Sequence, residues 1–163
     1  MLKILLKIIV AILVLVVIVL VISYRPLPEK ITYGLSFSKF RADELGIPFK
    51  EAYLATLDDL GVRNFRFSAH WHLTEPEKDV FDFETLDFQM HEAEKRGAQV
   101  VFAIGRRLPH WPECHEPDWA QGLSQEEKQV EILSYITHVV NRYKGYNNIM
   151  YWQVENEPFL RVF

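Results

Sequence analysis

Four short apolar stretches alternate with three amphipathic ones along most of this chain, and that alternation limits the folds open to it more than any other feature. Residues 31–37, 62–68, 98–104 and 149–154 each read as a strand. Between them lie helix-like segments. Residues 48–60 place Tyr53, Leu57 and Leu60 at helical spacing and close on Gly61, and residues 84–96 place Leu86, Met90 and Ala93 likewise and close on Gly97. Residues 124–143 open with a Ser-x-x-Glu capping box, Ser124 and Glu127, and carry Leu133, Ile136, Val140 and Tyr143 on one face. In the second strand Val62, Asn64, Arg66 and Ser68 share a face, with Phe65 and Phe67 on the other. A βαβαβαβ order predicts an α/β fold, a parallel sheet covered by helices, because parallel neighbours need crossovers and bury both faces.

Two architectures satisfy that order, an open doubly wound sheet and a closed (β/α)8 barrel. A doubly wound nucleotide fold usually has a Gly-rich turn after its first strand, but Ser36-Phe37-Ser38-Lys39-Phe40 stands there and cannot cradle a pyrophosphate in the same way. The barrel is favoured. A complete one takes about 250 residues, so a chain of 163 is expected to hold only the first four βα units of a TIM barrel.

Ahead of the strands, every residue from Ile8 to Ile22 is apolar, and Leu2 to Leu6 extend the run with only Lys3 and Lys7 interrupting it. Roughly 20 such residues cross a bilayer as a helix. Both lysines precede the run, which predicts a single-pass membrane anchor with everything after Ser23 outside the cytoplasm. A cleaved signal peptide is the alternative, but its apolar core is usually about 7 to 15 residues and ends at a small-x-small site, which Val21-Ile22-Ser23 matches poorly. The expected organisation is therefore an anchor at 1–23, a proline-stiffened linker at 24–30 and a globular region at 31–163.

Charge and cysteine content exclude some roles. The formal charge is −4, and about −6 without Lys3 and Lys7, which disfavours nucleic acid as a partner. Cys114 is the only cysteine, so no internal disulfide forms and the fold relies on its core. No cofactor is expected. At 13% the aromatic content is high, a weak pointer to ligands with flat apolar faces, sugars among them.

In a (β/α)8 barrel the reactive side chains stand at the C-terminal ends of the strands. Here those ends read Arg66-Phe67-Ser68-Ala69-His70-Trp71-His72, then Gly105-Arg106-Arg107-Leu108-Pro109-His110-Trp111-Pro112-Glu113-Cys114-His115, and finally Asn156-Glu157-Pro158. Imidazole, thiolate and carboxylate together invite a zinc reading, yet the spacings match no standard site. Arg106-Arg107 suits either an acidic sugar or solvent. Trp152 and Trp119 read as packing residues, and Glu155 as a buried partner for a basic side chain such as Arg66.

Asn156-Glu157-Pro158 at the end of a fourth strand resembles the Asn-Glu-Pro motif of glycoside hydrolase clan A, the retaining (β/α)8 glycosidases that include cellulases, mannanases and β-galactosidases. "FRFSAHWHLTEPEKDVFDFETLD", Phe65 to Asp87, is similar to the clan's second-strand region, and "VVFAIGRRLPHWP", Val100 to Pro112, to its third strand and following loop. The tripeptide alone is weak; the order, strand position and spacing of all three stretches make the joint signal strong.

The resemblance implies hydrolysis of O-glycosidic bonds in a β-linked oligo- or polysaccharide by a retaining double displacement. It makes Glu157 the general acid/base, Asn156 the partner of the sugar 2-hydroxyl, and Arg66 the group that orients the nucleophilic carboxylate. Trp71, His110 and Trp111 would stack on or hydrogen-bond sugar rings. One departure stands out. The clan's nucleophile is a Glu at the end of a seventh strand, which these residues do not include, so it is expected beyond Phe163 and the fragment alone is expected to be inactive. A different class of reading keeps the half-barrel as a non-catalytic, membrane-anchored carbohydrate-binding or scaffold protein.

Overall fold

The computed structural model describes residues 2–24, 31–109 and 114–159. They fall into two compact units, Met1–Thr32 and Tyr33–Phe163. The first is one helix, α1 (Leu2–Ser23), whose described side chains are all exposed. Its length and composition suit either a membrane span or a signal sequence. Residues 25–30 of the expected linker lie outside the described residues.

The second unit runs β1 (Leu35–Phe37), α2 (Lys39–Glu44), α3 (Phe49–Asp58), β2 (Asn64–Ser68), α4 (Trp71–Thr74), α5 (Glu84–Lys95), β3 (Gln99–Ile104), α6 (Gln125–Tyr143) and β4 (Ile149–Val154), with a short 3-10 turn at Asp118–Ala120 before α6. The four strands form one parallel sheet in the order β1-β2-β3-β4. Register aligns Leu35 with Phe65, Phe65 with Val100, and Phe102 with Trp152. A bulge interrupts the last pair, since Val100 meets Ile149 but Val101 meets Tyr151.

Strand alternation then sorts the two faces. Phe65, Phe67, Val100, Phe102 and Ile104 turn to the helices and are buried against Tyr53 and Leu57 of α3, Leu86, Met90 and Ala93 of α5, and Tyr135, Val139 and Tyr143 of α6. Asn64, Arg66, Ser68, Val101, Ala103, Tyr151 and Gln153 occupy the opposite face. Polar ties fasten the helix layer: the Tyr53 hydroxyl donates to the Gln89 carbonyl (2.9 Å), Arg96 pairs with Asp58 and Glu92, and Arg142 with Asp87. Gly97, at φ +64°, stops α5 in a Schellman turn in which the Ala98 amide donates to the Ala93 carbonyl (2.8 Å). The capping box forms as the sequence indicates, with the Glu127 carboxylate accepting from the Ser124 amide at 2.8 Å.

Three expectations are corrected. The first strand begins at Leu35 rather than 31; Ile31 and Tyr33 are exposed, and the partner strand offers its first ladder position only at Phe65. In α6 the fully buried apolar positions are Tyr135, Val139 and Tyr143, with Ile136 and Val140 of the expected face packed partly buried beside them; only Leu133 of that face turns outward, 64% exposed. The phenol decides this, because Tyr135 carries its hydroxyl to the Ala69 carbonyl at the end of β2. Leu60 lies past the end of α3 and is exposed for that reason. Helices α2 and α4 went unforeseen, being too short for an apolar period to register; the Ser38 side chain caps α2.

Candidate active site

Parallel pairing carries the C-terminal ends of β2, β3 and β4 to one edge of the sheet, and the polar segments Ser68–His72, Gly105–Pro109 and Glu155–Glu157 all leave from it. The turn after β4 is held by the loop after β3. Glu155 accepts hydrogen bonds from the backbone amides of Arg106 (2.8 Å) and Arg107 (2.5 Å), its own amide donates to Ile104 O (2.9 Å), and the Asn156 amide donates to Arg107 O (2.7 Å). Gly105 makes room for this: at φ +125°, any Cβ there would lie 2.7 Å from the Glu155 carboxyl carbon. Arg107 Nη1 also donates to the Glu157 carbonyl (3.2 Å).

Glu155 and Glu157 both adopt left-handed backbone, φ +61° and +49°, a conformation that costs non-glycine residues of order 1–3 kcal/mol each and persists only where its surroundings fix it. The side chain of Gln153 reaches forward from β4 and donates to both Glu155 O and Asn156 Oδ1 (3.2 Å each). Glu157 stands exposed at the rim, Asn156 is half-buried beneath it.

The partner expected for Glu155 is thereby corrected: its carboxylate is taken by two backbone amides, not by Arg66. The left-handed turn breaks the alternation that would have put Gln153 and Glu155 on one face. Arg66 lies half-buried in the row Ser36, Arg66, Val101, Tyr151 and donates to Ser36 Oγ (2.9 Å). Trp71 is also corrected. It is 0% exposed, packed between Trp119 and Tyr135, with Nε1 donating to the buried Glu75 carboxylate (2.8 Å); no face of the indole is open to a sugar. His110 and Trp111 lie outside the described residues. Gly105 and Gln153 are the residues whose part here the sequence reading missed, while Arg107, read as suited to an acidic sugar or solvent, donates to the Glu157 carbonyl. The only signal for Gly105 was a glycine directly after an apolar strand, where another group often approaches closely.

Beside this turn, His70, His72 and His115 gather around Phe40, with the His72 and His115 rings 5.1 Å apart. Among the described residues no group of three or more His, Cys, Asp or Glu side chains is arranged to hold a metal ion. Arg106 and Lys128 both pair with Glu116, joining this loop to α6. Burial alone would raise the Glu116 pKa; the Lys128 hydrogen bond and the Arg106 charge outweigh it and hold the carboxyl below its usual 4.5.

Burial, and then the charge of the neighbouring His115, push the His72 pKa below 6.5, against a hydrogen bond with the His115 backbone and the Asp118 charge, which pull the other way. An unfolded chain therefore takes up the proton first as pH falls. Stability from this group is complete above about 6.5 and drains away below it, down to the folded pKa; Glu116 and Asp87, both lowered, add a second loss through the carboxylate range. Urea midpoints measured from pH 8 to 4 are expected to fall in two steps, and His72→Phe is expected to remove the upper one.

Residues 51–161 match the family profile described as Glycosyl hydrolase family 10. Among solved structures, the chain is similar to a β-galactosidase from the Antarctic haloarchaeon Halorubrum lacusprofundi, at 21% identity and TM-score 0.57 over 76% of this chain and 21% of that one. It is also similar to an exo-β-1,4-mannosidase from Opitutaceae bacterium strain TAV5, at 13% identity and TM-score 0.59 over 83% and 27%. A glycosylated family 10 endo-β-1,4-xylanase from Gloeophyllum trabeum matches at 20% identity and TM-score 0.54 over 78% and 38%. The chain thus spans about a fifth to two fifths of the length of these structures, and the parallel four-stranded α/β unit shares their fold.

Proposed function

The chain belongs to glycosyl hydrolase family 10, and from that premise we propose that it supplies the acid/base half of a retaining β-glycosidase site. The observation that carries the reading is the Asn156-Glu157 turn, rigidly held at the C-terminal edge of β4 with the Glu157 side chain in solvent. Glu157 protonates the departing glycosidic oxygen and then takes a proton from the water that releases the sugar. Asn156, its Oδ1 held by Gln153, meets the 2-hydroxyl, an interaction that strengthens as positive charge spreads over the sugar ring.

The second carboxylate must stand about 5–5.5 Å from the first, across the bond to be cut. Glu155 is not that group, because both its oxygens are engaged by amides. Arg66 orients the nucleophile, in this reading a second carboxylate distinct from Glu155 and Glu157. In this reading the sheet is the first four βα units of a TIM barrel, and its polar face, with Arg66 and Gln153, becomes the barrel interior. The region 31–163 is that half-barrel, tethered through 24–30 to a membrane span at 1–23. Lys3 and Lys7 keep the N-terminus cytoplasmic and place the catalytic region on the far side. The substrate is a β-linked oligo- or polysaccharide.

Following an aryl β-glycoside by proton NMR in the full-length enzyme tests the reading. The first-formed sugar is expected to keep its β configuration. Release of the α anomer, or failure to cleave any β-glycoside, overturns it.

A further inference from the structure

We infer that Glu155, two residues before the proposed acid/base, is the positioning residue of that site: its carboxylate clamps the loop after β3 and sets the turn from which Glu157 projects. This rests on Glu157 being the acid/base. Four observations converge. Glu155 spends both carboxylate oxygens on consecutive backbone amides, Arg106 and Arg107, rather than on a side chain or solvent. Its left-handed φ of +61° sends the side chain sideways into β3's loop instead of along the strand face, so the chain enters Asn156 already turned. Gly105 is needed underneath it, since a Cβ there would collide with the carboxyl group. The same loop returns two bonds to the turn, Arg107 O accepting from the Asn156 amide (2.7 Å) and Arg107 Nη1 donating to the Glu157 carbonyl (3.2 Å).

A carboxylate suits this place for a physical reason. Two adjacent N–H groups aimed at one point form a small anion cradle, and a carboxylate accepts from both at once. Glutamine has a single acceptor oxygen, and its NH2 would face an N–H. The loop is itself anchored from behind by Arg106, Glu116 and Lys128, so the clamp ties the acid/base turn to α6. Positioning matters here because acid catalysis requires the carboxyl to be within hydrogen-bond reach of the leaving oxygen, and small displacements are costly.

The test compares Glu155→Gln, Gly105→Ala and Glu157→Gln in the full-length enzyme on two substrates. One is a disaccharide, whose leaving group needs protonation; the other is a dinitrophenyl glycoside, whose leaving group does not. Release of dinitrophenol is followed as the pre-steady-state burst. If Glu155 positions the acid, Glu155→Gln and Gly105→Ala slow the disaccharide by about tenfold or more while changing the burst by less than about threefold, although losing the clamp also lowers the unfolding midpoint. Equal losses on both substrates mark an ordinary structural residue and overturn the inference. A silent Glu155→Gln beside a crippled Glu157→Gln overturns the positioning role alone. Silence in both variants overturns the acid/base assignment and this role together.

Discussion

Glu157→Gln is expected to reduce hydrolysis of unactivated β-glycosides by about 10²–10⁴-fold, the usual contribution of a positioned general acid. The amide keeps the shape of the side chain and loses the transferable proton. Sugar leaving groups, which depart poorly as alkoxides, suffer most. With a dinitrophenyl leaving group the first step needs no acid, so the burst persists and release of the glycosyl-enzyme becomes slow for want of a base. Adding azide, a nucleophile that needs no deprotonation, is expected to restore turnover and give a β-glycosyl azide. Full activity of Glu157→Gln on a disaccharide would remove Glu157 from the mechanism.

Trp71→Ala is expected to be the most damaging core substitution, at about 4 kcal/mol or more, against the 3–5 usual for removing a large buried aromatic side chain. The ring is fully buried between Trp119, 5.5 Å away between centroids, and Tyr135 at 6.0 Å. Its Nε1 is also a partner of Glu75, a carboxylate only 3% exposed whose other oxygen accepts the Asp79 amide at 3.0 Å. Truncation leaves both a cavity and a carboxylate oxygen without that donor. Trp71→Phe partly separates the two contributions, since it keeps an aromatic ring in the site while losing the N–H and two ring carbons, the hydrogen-bond loss amounting to about 1–3 kcal/mol. Urea denaturation reads both. A Trp71→Ala protein of near-normal stability that binds oligosaccharide weakly would return Trp71 to the substrate surface.

Much of the architecture was legible beforehand because strand and helix periods are local properties. Phe65 and Phe67 against Arg66 and Ser68, Leu86-Met90-Ala93, and the Ser124–Glu127 cap each declare themselves within a few residues. Their burial agrees with the pattern. Leu133 shows where that reasoning stops. Ile136, Val140 and Tyr143 of the expected face do pack on the core, but the face centres on Tyr135, whose hydroxyl finds Ala69 O across the interface, and Leu133 is left outside. Trp71 fails for a related reason: an indole beside a strand end looks the same in sequence whether it faces a sugar or a buried Glu75.

By itself, then, the sequence determined the alternation of strands and helices, the apolar N-terminal helix, the parallel α/β class and the place of Asn156-Glu157 at a strand end. Only the tertiary structure decided what surrounds that place. Glu155 meets the amides of Arg106 and Arg107 some 48 residues away, over a glycine that must lack a side chain, in a backbone conformation no local preference selects. Such contacts depend on two loops arriving together at one edge of a sheet. Periodicity places a residue on its own element, but not against the element it will meet.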